Sequence, residues 1–508
     1  MRNKSIVKSS IVITVLMLIF KVLGFVKQAV IAYYFGVSST TDTYFIAWGF
    51  VSGVSDTIVK SLSVSLLPIY TMFFLSEGKN RAAELINGLI QLLFPILIFL
   101  ALMIYIFSPI IARALAPTYI GNSKAMLIEY TRILAPIVLF TGVEFVITTV
   151  LDAHKSFYIP RMQSLIYSLS VITCTVLLSG KIGIKALILG QYITKVLFLI
   201  LLIYFVKKYH HFFYVKINEI EGIKKIFITA LPLFLGNSVF YFNTMVDKAI
   251  SSGLGNGAAS ILSYSQIIEQ FVSSIIIGNI GGIIFVSFAE NAAKKDKAQV
   301  LESLYSAINI MVVILTAVTV MAVISSRDIV SIVYLRGNFS YDAMLSAATV
   351  LVGYIISFIP VTIRDFVAKG LYAFQDTYKT MISSIICITI NIVFSIGLSK
   401  VFGLLGVTIA TSIARTIGMI INVYFLKKEL PNYKFSKHMN VFIKCIPGAI
   451  LLAFWATAIE KSQLWNAYIR FGVITLVGGF IYLLICWFCR VKEVETMVKM
   501  VKGIINKH

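Results

Sequence analysis

Long apolar runs follow one another along this chain and are separated by short polar segments. Twenty apolar residues in an α-helix span the roughly 30 Å hydrocarbon core of a membrane, because each residue rises about 1.5 Å. The runs do not alternate in the way that the strands of a membrane β-barrel do. We therefore predict an all-α membrane protein with about 14 transmembrane helices, near residues 11–35, 43–75, 85–108, 127–151, 159–179, 184–206, 226–250, 260–287, 303–325, 344–366, 380–400, 404–426, 440–458 and 467–489.

The composition of the 508-residue chain excludes several other classes of protein. Hydrophobic residues make up 59% of it and charged residues 13%, whereas soluble domains have about 45–50% and about 25%. The net charge of +22 would suggest nucleic-acid binding in a soluble protein, but in a membrane protein it reflects the charge of the cytoplasmic loops. We therefore exclude a soluble enzyme, a disordered scaffold and a secreted disulfide protein, and we expect no nucleic-acid partner.

The basic residues predict how the helices are oriented in the membrane. With both termini in the cytoplasm, 26 of the 44 lysines and arginines lie in cytoplasmic segments and nine lie in external segments. Cytoplasmic loops of membrane proteins carry such an excess. A missed span would reverse every later loop and remove the asymmetry, so the distribution favours a multi-pass protein with both termini cytoplasmic.

Two halves of the sequence repeat with a constant offset of 220 residues. The segment 183–208 matches the segment 403–428, and within it Lys195 falls on Arg415. An offset of six spans preserves the orientation of each helix, so the repeats are parallel, as they are in one class of transporters. We predict two six-helix lobes in parallel repeat followed by two C-terminal helices, with boundaries at 1–215, 216–435 and 436–508.

The first predicted span carries two lysines within the apolar region. Charged side chains inside a bilayer are costly and usually face a cavity or a partner. Lys21 and Lys27 lie about 120° apart around a helix, with Gly24 midway between them. This arc is suited to a bulky anionic head group, and the alternative is that both lysines extend toward the membrane interfaces.

The second predicted span carries further charges with two open interpretations. Asp56 and Lys60 are four residues apart, which predicts either a neutralising pair within the helix or a cation available to a ligand. Asp42 near the start of the span is either a binding residue or a charge that complements the helix dipole. No Walker loop, GxSxG sequence or paired-carboxylate motif occurs, so we predict no enzyme, no catalytic residue and no metal site.

Three segments resemble one family of membrane proteins. Residues 21–27 (KVLGFVK), continuing through Phe35-Gly36 to Asp42, resemble the opening signature of the MurJ/MviN lipid II flippases. Residues 335–340 (LRGNFS) and residues 370–377 (GLYAFQDT) are also similar to this family. The resemblance covers nearly the whole chain. It implies a bacterial inner-membrane protein of the MOP exporter superfamily that moves the undecaprenyl-pyrophosphate-linked peptidoglycan precursor from the inner to the outer leaflet.

The resemblance also implies candidate site residues. Lys21 and Lys27 fall on basic cavity positions of the family, and Asp42 falls on its acidic position in the second span, while family arginines are absent at Ser55 and Gln266. The complete set of predicted substrate-binding residues is Lys21, Gly24, Lys27, Asp42, Lys60 and Arg364. A Na⁺ coupling ion, which some members bind, would fall on Asp247, Asn391 and Thr411, with Ser395 in place of an expected acid.

Other functions remain open at this point. The cargo is lipid II or another polyprenyl-linked oligosaccharide of the capsule, exopolysaccharide or O-antigen type. A cation or drug antiporter of the MATE type would favour an acidic cavity, and a membrane glycosyltransferase would need carboxylates clustered in a loop. We expect a monomer whose partners are the polyprenyl-pyrophosphate-linked saccharide and membrane lipids.

Overall fold

The described part of the chain consists of helices joined by short connections. A computed structural model describes residues 2–209, 211–212, 220–278, 297–373, 377–462, 465–495 and 497. No strand occurs within these ranges, and the predicted all-α fold is confirmed. The end of the predicted span 260–287, residues 374–376 of one similar segment and the last residues of the tail lie outside the described residues.

The helices divide into two compact units. The first unit comprises Met1–Ser260 with Gly337–Phe339, and the second comprises Ile261–Arg336 with Ser340–His508. The helices of the first unit are α1 (Arg2–Phe35), α2 (Ser39–Ser76), α3 (Lys79–Ile106), α4 (Ser108–Leu115), α5 (Gly121–Leu134), α6 (Ile137–Ala153), α7 (Tyr158–Ile182), α8 (Lys185–Val206) and α9 (Ile220–Ser252). The lobes inferred from the internal repeat stay a prediction.

The second unit contains the remaining helices and most of α10, whose first residues belong to the first unit. These helices are α10 (Ala258–Ser273, continued by a π turn at Ser274–Gly278), α11 (Lys297–Ile324), α12 (Ser326–Tyr334), α13 (Tyr341–Ile355), α14 (Phe358–Ala373), α15 (Thr377–Glu429), α16 (Ser436–Ser462), α17 (Ala467–Val473, continued by a π turn at Ile474–Gly478) and α18 (Gly479–Phe488).

Helices of membrane-crossing length dominate both units. Within the described residues, nine helical segments are long and apolar enough to cross a bilayer, or ten if the bent pair α13–α14 is one span. One of the nine, Tyr378–Glu429, covers two predicted spans, since a straight helix of that length would measure nearly 80 Å. Its backbone turns at Gly403, whose φ of 57° favours glycine. The structure is consistent with the predicted count of fourteen.

Short polar residues and one proline set several helix ends. Ser38 caps α2 by accepting a hydrogen bond from the Thr41 amide at 3.2 Å, and Ser340 caps α13 through the Ala343 amide at the same distance. The predicted span 127–151 is divided into α5 and α6 at Pro136, because proline cannot donate the helical hydrogen bond at that position.

Helix α2 forms the centre of the first unit. It packs along α3, α5, α6 and α9, and its fully buried side chains include Ile46 and Leu66. Helix α7 pairs with α8 and also contacts α1. In the second unit, α15 packs on α13 and α14, and α16 packs on α11 and α18. Both units therefore bury polar side chains of several helices at close range.

Candidate functional site

The lysines of α1 lie on the side of the helix that faces α7. Lys27 is only 5% exposed, and its Nζ lies 3.6 Å from the centre of the Tyr167 ring of α7. A Cβ added to Gly24 would lie 3.8 Å from the Ser168 Oγ of the same helix, and Lys21 is half-buried. Aromatic faces attract ammonium groups, so Tyr167 compensates part of the cost of burying this charge. The structure tests the position of these residues, and their role with a substrate stays a prediction.

A hydrogen-bonded chain continues from Tyr167 into the first unit. The Gln191 Nε2 of α8 donates to the Tyr167 hydroxyl at 2.9 Å and to the Tyr44 hydroxyl of α2 at 3.2 Å. Because each polar group is buried, these bonds are worth more than they would be in water. Lys27 is therefore tied to α2 and α8 through neutral groups.

A buried ion pair lies one helical turn further along α8. Lys195 Nζ and Glu144 Oε2 are 2.7 Å apart, and their side chains are 8% and 2% exposed. Gln163 of α7 donates to the same Glu144 oxygen at 3.2 Å, while Glu144 Oε1 has no hydrogen-bond partner in the described part of the chain. This arrangement fixes three helices, α6, α7 and α8, around one pair of charges.

The second unit contains a related pair. Arg415, the repeat equivalent of Lys195, donates to Glu269 at 3.2 Å and to the Ser357 hydroxyl at 2.9 Å. The predicted substrate residue Arg364 pairs with its neighbour Asp365 at 3.0 Å and is 30% exposed. The cation at the repeated position thus has a glutamate partner in both units, although the two glutamates are not at equivalent positions.

Exposed charges meet between α2 and α9. Lys60 Nζ donates to the Tyr241 hydroxyl at 2.8 Å, and this hydroxyl donates to Asp56 Oδ2 at 2.8 Å. The direct distance from Lys60 Nζ to Asp56 Oδ2 is 3.5 Å, so the predicted pair within the helix is present. The two charged side chains are 57% and 51% exposed near the middle of α2. Such exposed charges in an apolar helix indicate a surface that water reaches.

Asp42 has a structural environment. Its side chain is fully buried and accepts hydrogen bonds from the Ser260 amide at 2.6 Å and the Gly257 amide at 2.7 Å. The Tyr119 hydroxyl lies 3.3 Å away, and burial followed by the Asp42 charge raises the pKa of Tyr119, which keeps this donor protonated. The carboxylate therefore caps the first turn of α10, and its predicted role in binding stays untested.

Replacement of Asp42 by alanine is expected to destabilise the protein by about 1–3 kcal/mol, because two buried amides lose their acceptor. Asp42→Asn keeps one acceptor and is expected to cost less. Chemical unfolding of the purified protein in detergent measures both effects. Asp342→Ala, at an exposed site in the first turn of α13, is the control and should change the free energy of unfolding by less than about 0.5 kcal/mol. Equal effects at the two positions would contradict the capping role.

One of the family-like segments closes the end of α1. The Asn338 amide donates to the Tyr33 carbonyl at 2.9 Å, and the Asn338 Nδ2 donates to the Tyr34 carbonyl at 2.6 Å. These carbonyls belong to the last turn of a helix, where no amide of the same helix reaches them. Gly337 has a φ of 58° and lies against Tyr33, so residues 337–339 act as a C-terminal cap supplied from a distant part of the sequence.

Gly337→Ala is expected to cost about 2–3 kcal/mol, since a Cβ would clash with the Tyr33 carbonyl in addition to the strain of the positive φ. Gly78→Ala is a matched control, because Gly78 also has a positive φ of 88° but has no atom near its added Cβ. Its expected cost is about 1 kcal/mol. The two free energies of unfolding can be compared in the same detergent, and a difference near zero would argue against the cap.

The predicted cation-binding residues do not all lie in one unit. Asn391 and Thr411 are joined in the second unit by a hydrogen bond of 3.1 Å from Asn391 Nδ2 to Thr411 Oγ1, whereas Asp247 is buried on α9 of the first unit. Ser395 is fully buried. Amide and hydroxyl oxygens suit a hard cation such as Na⁺. No group of three or more His, Cys, Asp or Glu side chains that would hold a metal ion occurs among the described residues.

Sequence reasoning did not identify three polar residues that the structure places in these networks. Glu144 is a lone carboxylate in an apolar run, a signal that was available, but its partner is 51 residues away. Tyr241 gave no signal, because an aromatic residue in a span is usually a packing residue. Lys248 was noted without a role, and its Nζ donates to the Phe45 carbonyl of α2 at 2.6 Å.

Several known proteins are similar to this chain over nearly its full length. A protein of Treponema pallidum named "Probable lipid II flippase MurJ" is 21% identical, with 95% of each chain covered. A protein of the same name from Buchnera aphidicola subsp. Baizongia pistaciae is 22% identical over 95% of this chain and 97% of its own. These identities alone are low.

Solved structures share the fold. One described as "Lipid II flippase MurJ, inward closed conformation" matches with a TM-score of 0.81 at 20% identity, covering 94% of this chain and 98% of that one. A multidrug resistance transporter of the MATE family of the MOP superfamily, in an inward-facing conformation, matches with a TM-score of 0.70 at 12% identity over 81% and 94% of the two chains. The fold is therefore that of MOP-type transporters, and the chain is a multi-pass membrane protein. Because residues 31–476 match the family described as "Lipid II flippase MurJ", this chain belongs to that family.

Proposed function

We propose that this protein is a flippase for lipid II, the undecaprenyl-pyrophosphate-linked peptidoglycan precursor. It would move its cargo from the inner to the outer leaflet of the bacterial cell membrane by alternating access, with both termini in the cytoplasm. The family match over residues 31–476 supports the class of cargo. The observation that carries the proposal from the residues is Lys60, an exposed cation near the middle of an apolar helix. A diphosphate crossing the bilayer needs such cations to offset its loss of hydration.

The side chains have different parts in this proposal. Lys21 and Lys60 contact the diphosphate, while the buried Lys27 contributes positive potential from its place over Tyr167. Arg364 is a further cation, in the second unit. The polyprenyl chain stays among lipid acyl chains, where its transfer costs little. No covalent bond is made or broken, so the protein acts as a transporter and not as an enzyme.

The energy source in this proposal is the membrane potential or a sodium gradient. Movement of one charge across 100 mV is worth about 2.3 kcal/mol. For a sodium ion, Asn391 and Thr411 offer neutral oxygen ligands and Asp247 offers a carboxylate. Flipping in liposomes that carry a sodium gradient, compared with a potassium gradient at the same potential, distinguishes the two sources.

A second cargo is favoured by one feature of the residues. Lysine replaces the usual arginine of the family at Lys21 and Lys27, and Ser55 and Gln266 replace two more. Lysine binds phosphate as a point charge and lacks the two-pronged contact of arginine. This difference favours a flippase for another polyprenyl-linked oligosaccharide, such as a capsule or exopolysaccharide precursor, as the alternative.

Reconstitution of the purified protein into liposomes tests both cargoes. Fluorescent lipid II and a fluorescent undecaprenyl-diphosphate oligosaccharide of another type are each placed in the bilayer, and their arrival in the outer leaflet is measured by quenching. We expect faster flipping of lipid II than in protein-free liposomes. Flipping of only the second cargo would select the alternative, and flipping of neither in vesicles that contain folded protein would contradict the proposal.

A further inference from the structure

Three polar groups of α2 and α9 form a closed triangle. The Tyr241 hydroxyl accepts from Lys60 at 2.8 Å and donates to Asp56 at 2.8 Å, and the lysine and carboxylate are 3.5 Å apart. A tyrosine hydroxyl has one proton and two lone pairs, so it serves both charges at once. Lys60 is therefore held in place by a neighbouring anion and a neutral bridge.

The position of Tyr241 is fixed by its contacts with α2. Its ring lies over Gly53, where a Cβ would come within 2.8 Å of the Tyr241 Cδ1 atom. Asn237, one turn earlier on α9, donates to the Ser61 hydroxyl at 3.2 Å. The hydroxyl of Tyr241 is thus presented to Asp56 and Lys60 by the packing of two helices.

The exposure of this triangle distinguishes it from the buried pair in the same unit. The side chains of Lys60 and Asp56 are more than half exposed, whereas those of Lys195 and Glu144 are almost fully buried. An exposed ion pair is worth at most about 1 kcal/mol, so a stronger anion displaces it easily. A diphosphate carries more charge than one carboxylate and accepts several hydrogen bonds, and it therefore competes successfully for Lys60.

We propose that Asp56 is an internal competitor for the diphosphate of the cargo. In the empty site Asp56 holds Lys60, with Tyr241 as the bridge, and on loading the diphosphate takes the lysine from it. When the cargo leaves, Asp56 recovers the lysine, which lowers the affinity for the diphosphate and favours release. This inference rests on the proposed function and assigns a part to a carboxylate that repels the ligand.

Binding of inorganic pyrophosphate to the full chain in lipid nanodiscs tests the inference. At about 0.15 M salt, where distant charges are screened, Asp56→Asn is expected to tighten binding about fivefold. Lys60→Met is expected to weaken binding, and Asp56→Asn in the Lys60→Met background should change it less than twofold. Glu84→Gln is the matched control, because Glu84 forms an exposed pair with Arg81 at 3.1 Å on α3. It should leave the affinity unchanged.

The outcomes separate this inference from the proposed function. If Asp56→Asn leaves the affinity unchanged or weakens it, or tightens it equally without Lys60, Asp56 is not a competitor. Asp56→Asn is also expected to lower both KM and kcat for flipping of lipid II in liposomes, because release becomes slower. If the wild-type protein binds no pyrophosphate and flips no lipid II, both the proposed function and the inference fail.

Discussion

Lys195→Met is expected to destabilise the protein by about 3–5 kcal/mol. The substitution leaves the Glu144 carboxylate buried with only Gln163 as a donor, and an unpaired buried charge costs far more than an exposed one. Glu144→Gln is expected to have a similar effect, because it leaves the lysine without a counter-charge. The free energy of unfolding in detergent measures both variants.

The double variant Glu144→Gln, Lys195→Met is expected to recover most of this stability. A buried ion pair replaced by neutral groups of similar size is often close to neutral in stability, since no charge has to be desolvated. Glutamine at position 144 also keeps an acceptor for Gln163. Lys185→Met is the matched control, because Lys185 pairs with Glu129 at 2.6 Å but both side chains are nearly half exposed. It should cost less than about 1 kcal/mol. Additive losses in the double variant would contradict the pair.

The double variant Lys21→Ala, Lys27→Ala is expected to reduce lipid II flipping at least about hundredfold. Each charge-assisted hydrogen bond to a phosphate contributes roughly 1.5–3 kcal/mol, and two such losses amount to about two powers of ten in rate. Lys27 also binds the Tyr167 ring, so unfolding is measured in parallel to show that the variant is folded. Wild-type flipping by a folded double variant would refute the proposed role of these lysines.

A charge-matched control accompanies that experiment. Lys181→Ala, Lys185→Ala removes two lysines that are exposed at the end of α7 and the start of α8. The net charge falls by the same amount in both double variants. The control is expected to flip lipid II within about twofold of the wild-type rate, because exposed charges act weakly over distances beyond the Debye length. Equal losses in both would show that net charge, and not position, sets the rate.

Hydropathy was sufficient to predict the helical class and the positions of most helices. The predicted spans 85–108 and 184–206 correspond to Lys79–Ile106 and Lys185–Val206, because long apolar runs have few other stable arrangements in a bilayer. The short helices Ser108–Leu115 and Ser326–Tyr334 were not predicted. They are too short to cross a membrane, so the criterion of length did not apply to them.

The partners of the polar residues were less predictable than the helices. Spacing along one helix indicated the Asp56–Lys60 pair, but nothing local indicates that Asp42 meets amides more than 200 residues away. Lys195 and Arg415 matched in the repeat, yet their glutamates lie on different helices of the two units. Such pairings depend on how helices pack, and a pattern of single residues in one sequence does not determine packing.

The division into units also follows packing and not the repeat. Helix α9 would open the second lobe of the repeat, whereas its contacts with α2 place it in the first compact unit. Sequence similarity records the duplication, and contacts record which helices lie together. The two divisions therefore measure different properties, and a boundary at 215/216 remains a prediction about the duplication.

The central claim is that this chain carries lipid II across the membrane. The most direct measurement is complementation of a bacterial strain depleted of its own lipid II flippase, with lipid II in the outer leaflet measured alongside growth. The account predicts that the wild-type chain restores both and that the Lys21→Ala, Lys27→Ala variant, present in the membrane at the same level, restores neither. Membrane-inserted wild-type protein that leaves lipid II in the inner leaflet would contradict the account.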